Sequence, residues 1–206
     1  VAQRPTLRRE RALWALGFRS VAGLDEVGRG PLAGPVVAAA VVFPPGQRAI
    51  RGLRDSKELS HQQRERLGSI IRNAAVSWAV AAASVREIDR FNIRRATALA
   101  FRRALARLSP PVDYILVDGM EVPELGRAHE AIVDGDAKIE SIAAASVLAK
   151  LVRDRLMERL ACHYPQFCWD ANKGYGTAEH LAALEAGGPT PHHRRSFTPV
   201  VQLRML

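Results

Sequence analysis

Residues 24–37, LDEVGRGPLAGPVV, set two acids side by side, follow them with a glycine-flanked arginine, and pass through two prolines into a β-branched run. Glycine and proline punctuate two apolar segments, about 19–29 and 36–43, whose Val, Ala and Phe content reads as strand. The pair predicts a hairpin-like start. Gly28, Gly30 and Gly34 have some likeness to a dinucleotide fingerprint, but that motif needs a helix to open within the glycines. Here Pro31 and Pro35 lead into VVAAAVV, which favours another strand, and no G-x-x-x-x-G-K-[ST] occurs to support a P-loop.

Beyond the two strands the pattern alternates. Ser60 with Gln63 forms a capping box ahead of a helix, HQQRERLGSIIRN, and SWAVAAASV (77–85) reads as a third strand. Residues 94–108 predict a helix with Ala98, Phe101, Leu105 and Leu108 on one face, a basic outer face, and a stop at Ser109-Pro110-Pro111. YILV (114–117) and HEAIVDGD (129–136) read as two more strands, and Ser141 to Leu160 as a long helix. At the start, Leu7, Trp14 and Phe18 suit a docked N-terminal helix. The order implies an α/β sheet with mixed strand directions. One domain of 1–206 is expected, with a core over about 1–160 and an extension over about 161–206 that holds a short helix, TAEHLAALEA.

Thirty Lys+Arg against 21 Asp+Glu give a formal charge of +9, a field that attracts polyanions and makes nucleic acid the leading partner class. No stretch is long and apolar enough to span a membrane, and no partner membrane is expected. Cys162 and Cys168, with His163 between them, lack a full ligand set for zinc and read as ordinary thiols in a reducing, cytoplasmic setting.

Against this basic background, acids at the ends of elements are the chemically informative residues. Asp25 and Glu26 lie late in the first strand, Asp118 ends YILVD, and Asp136 lies in DGDAK. Each has a structural explanation: Asp118-Gly119 is a common turn pair, and Asp136 can cap the long helix. Asp25-Glu26 is harder to set aside, because alternation turns at least one of the two inward unless the strand ends or bulges there. Acids beside an apolar core repel each other and lose hydration, a cost best offset by a shared cation. Oxygen-only ligands favour Mg²⁺ or Mn²⁺ over zinc.

The motifs GLDEVGRGPLAGPVVAAAVV, DSKELS, ILVDG, GDAKIESIAAASVLAK, NKGYGTAEH and HRRSF, in this order from about residue 10 to 200, resemble those of ribonuclease HII, the type 2 ribonuclease H. The resemblance implies the ribonuclease H-like fold, a five-stranded mixed sheet flanked by helices with a C-terminal helical extension. It implies endonucleolytic hydrolysis of RNA in RNA·DNA hybrids, and nicking 5′ of single ribonucleotides in duplex DNA to leave 3′-hydroxyl and 5′-phosphate ends. Such activity belongs to ribonucleotide excision repair and DNA replication. Asp25, Glu26, Asp118 and Asp136 become an acidic tetrad for two Mg²⁺ or Mn²⁺ ions. Gly28, Arg29 and Gly30 become the turn that feels the ribose 2′-hydroxyl, and Tyr175 the ring that packs on the neighbouring deoxyribose. Ser56, Lys57, Lys138, Ser146 and Lys173 become phosphate contacts. His193, Arg194 and Arg195 of HRRSF either pack the extension on the core or meet DNA.

Three features depart from the family pattern. Glu140 stands where a small or neutral residue is expected, and either perturbs the metal region or points to solvent. His192 replaces a position often aliphatic. The tail VVQLRML makes no convincing sliding-clamp-binding peptide, and a monomer is expected. A ribonuclease HIII-type enzyme shares the chemistry, but usually carries threonine in the glycine turn where Arg29 stands. A non-catalytic basic nucleic-acid-binding protein is the alternative from another class.

Overall fold

The computed structural model describes residues 4–202. Five strands, β1 (Val21–Val27), β2 (Val36–Val42), β3 (Ser77–Ala83), β4 (Tyr114–Asp118) and β5 (Glu130–Ile132), form one mixed sheet in the order β3-β2-β1-β4-β5. β2 runs antiparallel to β1 and β3, whereas β4 runs parallel to β1 and β5. The expected five-stranded mixed sheet flanked by helices is present.

The unbroken apolar sequence of β2 follows from burial on both faces. Alternation sends Val36, Ala38, Ala40 and Val42 into one core, and Val37, Ala39 and Val41 into the other. Helix α3 (Val85–Leu105) closes the first core with Phe101 and Ala104. The second core is closed by α2 (His61–Ala74) and α5 (Glu140–His163), through Ile71, Ala145 and Leu148. A Cβ at Gly23 would overlap the backbone of Ser141 and Ile142, so the missing side chain lets the first turn of α5 lie directly on β1. That contact brings α5 alongside the acids at the strand's end.

The N-terminal helix, α1 (Arg8–Ala15), docks through buried Leu13, while Leu7 at its N-cap is also buried. A third cluster joins Leu32 and Ala33, after the glycine turn, to Met157 of α5 and to Phe167, Trp169 and Leu184 of the C-terminal segment. This segment carries α6 (Trp169–Asn172) and α7 (Ala178–Gly187).

Boundaries differ from expectation in three places. β1 ends at Val27, because Gly28 turns the chain with φ +90°. The helix expected over 94–108 begins earlier, at Val85, under a capping box of Ser84 and Glu87, and kinks at Asn92, whose φ is 67°. The last strand is only Glu130–Ile132; Asp134 takes a left-handed φ of 55°, so Asp136 lies in a helical turn, α4 (Gly135–Lys138), and not on a strand.

Candidate active site

β1 and β4 are parallel neighbours, so Asp25-Glu26 and Asp118 come to the same end of the sheet. The left-handed step at Asp134 then returns α4 across that end, where the Gly135 and Asp136 N–H groups donate to Asp118 Oδ1 at 2.7 and 3.3 Å. Asp25, Glu26, Asp118 and Asp136 thereby line one cavity of about 600 Å³, together with Ser56, Lys57, Ser146, Lys150, Asp154, Lys173 and Tyr175.

Electrostatics in this cavity are unbalanced. Burial pushes the Asp25 carboxyl well above its ordinary value, and Glu26 and Asp118 push it further, against a Ser146 hydrogen bond that favours the anion. Glu26 is also raised by burial, while Arg29, whose Nη1 lies 3.0 Å from Glu26 Oε1, opposes the shift. Asp136 is raised to about 6 by burial and then by Asp118 and Asp55. Burial disfavours the Lys57 ammonium, yet Asp55, Asp136, Asp25 and Asp118 hold its pKa above the ordinary lysine value. Its Nζ lies 3.8 Å from Asp136.

Four carboxylates at one cavity, of which Asp25, Glu26 and Asp136 are raised by burial and neighbouring charge, make an all-oxygen donor set suited to a hard divalent cation. As placed, the side chains are turned to protein partners: Glu26 to Arg29, Asp118 to the α4 amides, and Asp25 Oδ1 to the Glu26 N–H at 2.6 Å. Among the described residues no three His, Cys, Asp or Glu side chains stand close enough to enclose an ion. The chemistry of the cavity fits a divalent metal, and its side chains must turn inward to hold one.

The remaining expected residues divide. Ser56 and Ser146 are buried and hydrogen-bonded to each other at 2.9 Å. Lys173 lines the cavity with its Nζ on Glu158, and Tyr175 is half exposed. A Cβ at Gly30 would sit 3.6 Å from the Tyr175 ring, so the glycine turn and the tyrosine face each other. Lys138 does not line the cavity; its ammonium donates to the Val133 carbonyl at 2.6 Å beside Asp134.

The matched family model is ribonuclease HII, over residues 22–200. The chain belongs to the ribonuclease HII family. It is 57% identical over 187 residues to ribonuclease HII of Dechloromonas aromatica, covering 90% of this chain and 95% of that one. Among solved structures, ribonuclease H2 from Pyrococcus horikoshii OT3 superposes with a TM-score of 0.77 at 28% identity, covering 90% and 97% of the two chains. The RNase HII of Archaeoglobus fulgidus, solved in a PCNA:RNase HII complex, gives 0.72 at 27% identity, covering 89% and 96%. As a ribonuclease HII, the protein is a phosphodiester hydrolase that cuts the RNA of RNA·DNA hybrids as an endoribonuclease. Its family works with divalent metal.

Sequence reasoning did not single out Arg153, and left Arg194 divided between packing and DNA. In this ribonuclease HII both are fully buried. Arg194 donates to the carbonyls of Gly28, Arg29 and Gly34, and Arg153 to those of Ala33, Pro35 and Lys173. Two guanidiniums thus hold the glycine turn and the loop leading to Tyr175 from beneath. Burial lowers Arg194 to about 9, with Arg153 the next cause, and lowers Arg153 to about 10. Arg194 therefore packs the extension on the core and does not meet DNA. The signal was arginine beside apolar residues, in LVRD (151–154) and HRRSF (193–197), which composition counts as surface charge.

Glu140 corrects both alternatives offered for it. It is buried, accepts from the Ile50 N–H at 2.6 Å, and faces Glu10, itself buried and accepting from Ser141 N–H at 2.9 Å. Cys162 and Cys168 are free thiols whose nearest partners are the Glu158 and Pro165 carbonyls. Among the described residues no helix is long and apolar enough to cross a membrane. The tail judged poor for clamp binding lies partly outside them, at 203–206.

Proposed function

We propose that the protein nicks duplex DNA 5′ of a single embedded ribonucleotide, besides cutting RNA·DNA hybrids, and leaves 3′-hydroxyl and 5′-phosphate ends. One observation carries this reading: acids from three distant segments share a cavity with Tyr175, beside a glycine turn that faces the same ring. Asp25, Glu26, Asp118 and Asp136 would hold two Mg²⁺ or Mn²⁺ ions. When bound, such ions lower the pKa of an attacking water and neutralise the leaving oxygen. The chain supplies the rest. Gly28 and Gly30 leave backbone groups open to the 2′-hydroxyl, with Arg29 adding charge near the phosphate. Tyr175 packs on the deoxyribose next to the ribose. Lys57 and Lys173 carry phosphate contacts. Ser146 supports Asp25, with Ser56 bonded to Ser146 behind it, while Lys138 acts outside the cavity.

Residues from about 161 to 206 serve as the substrate-binding extension of the core. Two free thiols, one of them exposed, suit a reducing compartment, and we place the enzyme in the cytoplasm as a monomer acting in ribonucleotide repair and replication. The test is a 5′-labelled DNA duplex containing one ribonucleotide, incubated with Mg²⁺ or Mn²⁺ and then with EDTA. A metal-dependent nick on the 5′ side of that ribonucleotide is expected. Binding without cutting would favour a non-catalytic binder.

A further inference from the structure

A second groove, of about 370 Å³, lies next to the acidic cavity and is lined by Arg51, Gly52, Arg54, Leu59, Gln63, Arg66 and Leu67. Its floor includes the buried leucines, Leu59 and Leu67. No carboxylate lines it, and among the described residues none of its three guanidiniums has an ion-pair or side-chain hydrogen-bond partner. Elsewhere on the surface Arg9, Arg94, Arg103 and Arg155 each meet a carboxylate. Three like charges brought together without a counter-charge repel, a cost that a polyanion removes.

The groove shares a wall with the cavity. Arg54 directly precedes the Asp55-Ser56-Lys57 segment, of which Ser56 and Lys57 line the cavity. On α2, Arg64 faces the cavity, while Gln63, Arg66 and Leu67 face the groove. A phosphate chain running past Lys57 would meet the three arginines next.

We propose that Arg51, Arg54 and Arg66 form an outlying phosphate-binding site that holds one duplex arm of the substrate away from the cleavage point. It extends the nucleic-acid reading of the cavity and rests on that reading. Guanidinium forks match phosphate oxygens bidentately, and each phosphate neutralised releases counterions. The site reads backbone and not base, so it adds affinity and register without sequence preference.

The test measures binding of ribonucleotide-containing duplexes by fluorescence anisotropy in EDTA, across a salt series. Duplexes short on both sides of the ribonucleotide are compared with duplexes lengthened on one side or the other. For Arg54→Gln combined with Arg66→Gln, the slope of log affinity against log salt should become shallower by about 2, roughly 0.9 for each lost phosphate contact. The change should occur with only one of the two lengthened arms. Arg95→Gln combined with Arg102→Gln, both on α3 across the sheet, removes the same two charges and controls for net charge. Slopes equal to wild type on every duplex, or an equal change from the α3 pair, would overturn the site. Failure of the wild type to nick would strike the cavity reading instead, since the anisotropy measurement does not depend on cutting.

Discussion

Arg194 Nη1 donates to the Arg29 carbonyl at 2.8 Å, so a buried residue of the HRRSF motif fixes the middle of a turn 165 positions earlier. The same guanidinium also serves the carbonyls of Gly28 and Gly34. Arg194→Met leaves these acceptors buried without donors and should cost about 3 kcal/mol of stability, read from the urea midpoint. Arg194→Lys should restore only part, because one ammonium cannot reproduce the planar fork. A Met variant with an unchanged midpoint would mean that the turn holds its own shape.

Asp118→Asn keeps the acceptor oxygen for the Gly135 and Asp136 amides but removes the charge. Cleavage should fall by at least about 100-fold, more than the loss of a residue that merely supports a metal ligand. Binding of the labelled duplex should be largely retained. Undiminished turnover would remove Asp118 from the ligand set.

Glu140 sets a pH dependence of stability distinct from that of the cavity. Burial, followed by the Glu10 charge, raises its carboxyl to about 7 against the opposing Ile50 N–H hydrogen bond and the charge of Arg11. The folded chain therefore keeps a proton that the unfolded chain has released, and folding takes one up. This contribution is full below about 4.5, the ordinary glutamate value, declines as pH rises, and is gone above about 7. Glu140→Gln, which keeps the acceptor for Ile50, should flatten that decline by up to about 3 kcal/mol. Melting curves from pH 4 to 8 measure it, and an identical slope in both proteins would show that Glu140 is not the group responsible.

The sheet was legible because its signals are local. Valine-rich runs between glycine and proline mark β1 and β2, and Ser60 with Gln63 marks the start of α2, whose capping box is present. The kink at Asn92 and the left-handed Asp134 were not legible, since asparagine and aspartate occupy many conformations and only packing selects this one. The acids stood out because charge at a strand end beside apolar residues is costly. The buried arginines did not, because nothing local distinguishes a guanidinium that meets water from one that meets three carbonyls. Glu140 was misread for the same reason: its partner, Glu10, lies on a helix that only tertiary docking brings near.

Tyr175 supplies the sharpest test of ribose recognition. Its ring faces Gly30, and its own carbonyl is bonded by His180 Nδ1 at 2.8 Å. His180 Nε2 in turn contacts His193 Nε2 at 2.9 Å and accepts from Trp169 Nε1 at 3.2 Å. Burial lowers His193 to about 3, so this chain stays neutral and holds the tyrosine loop at working pH. Because that support is backbone, Tyr175→Ala removes the half-exposed ring and leaves the loop in place. Cutting at a lone ribonucleotide should fall about tenfold or more, from apolar packing of the ring on the sugar of about 1.5–3 kcal/mol. Uniform RNA·DNA hybrid, which offers no ribose-to-deoxyribose step, should be affected far less, and the melting temperature little. Tyr175→Phe should stay near wild type on both substrates, because the ring and not the hydroxyl makes the contact. Equal losses on the two substrates in the alanine variant would count against a role at the junction.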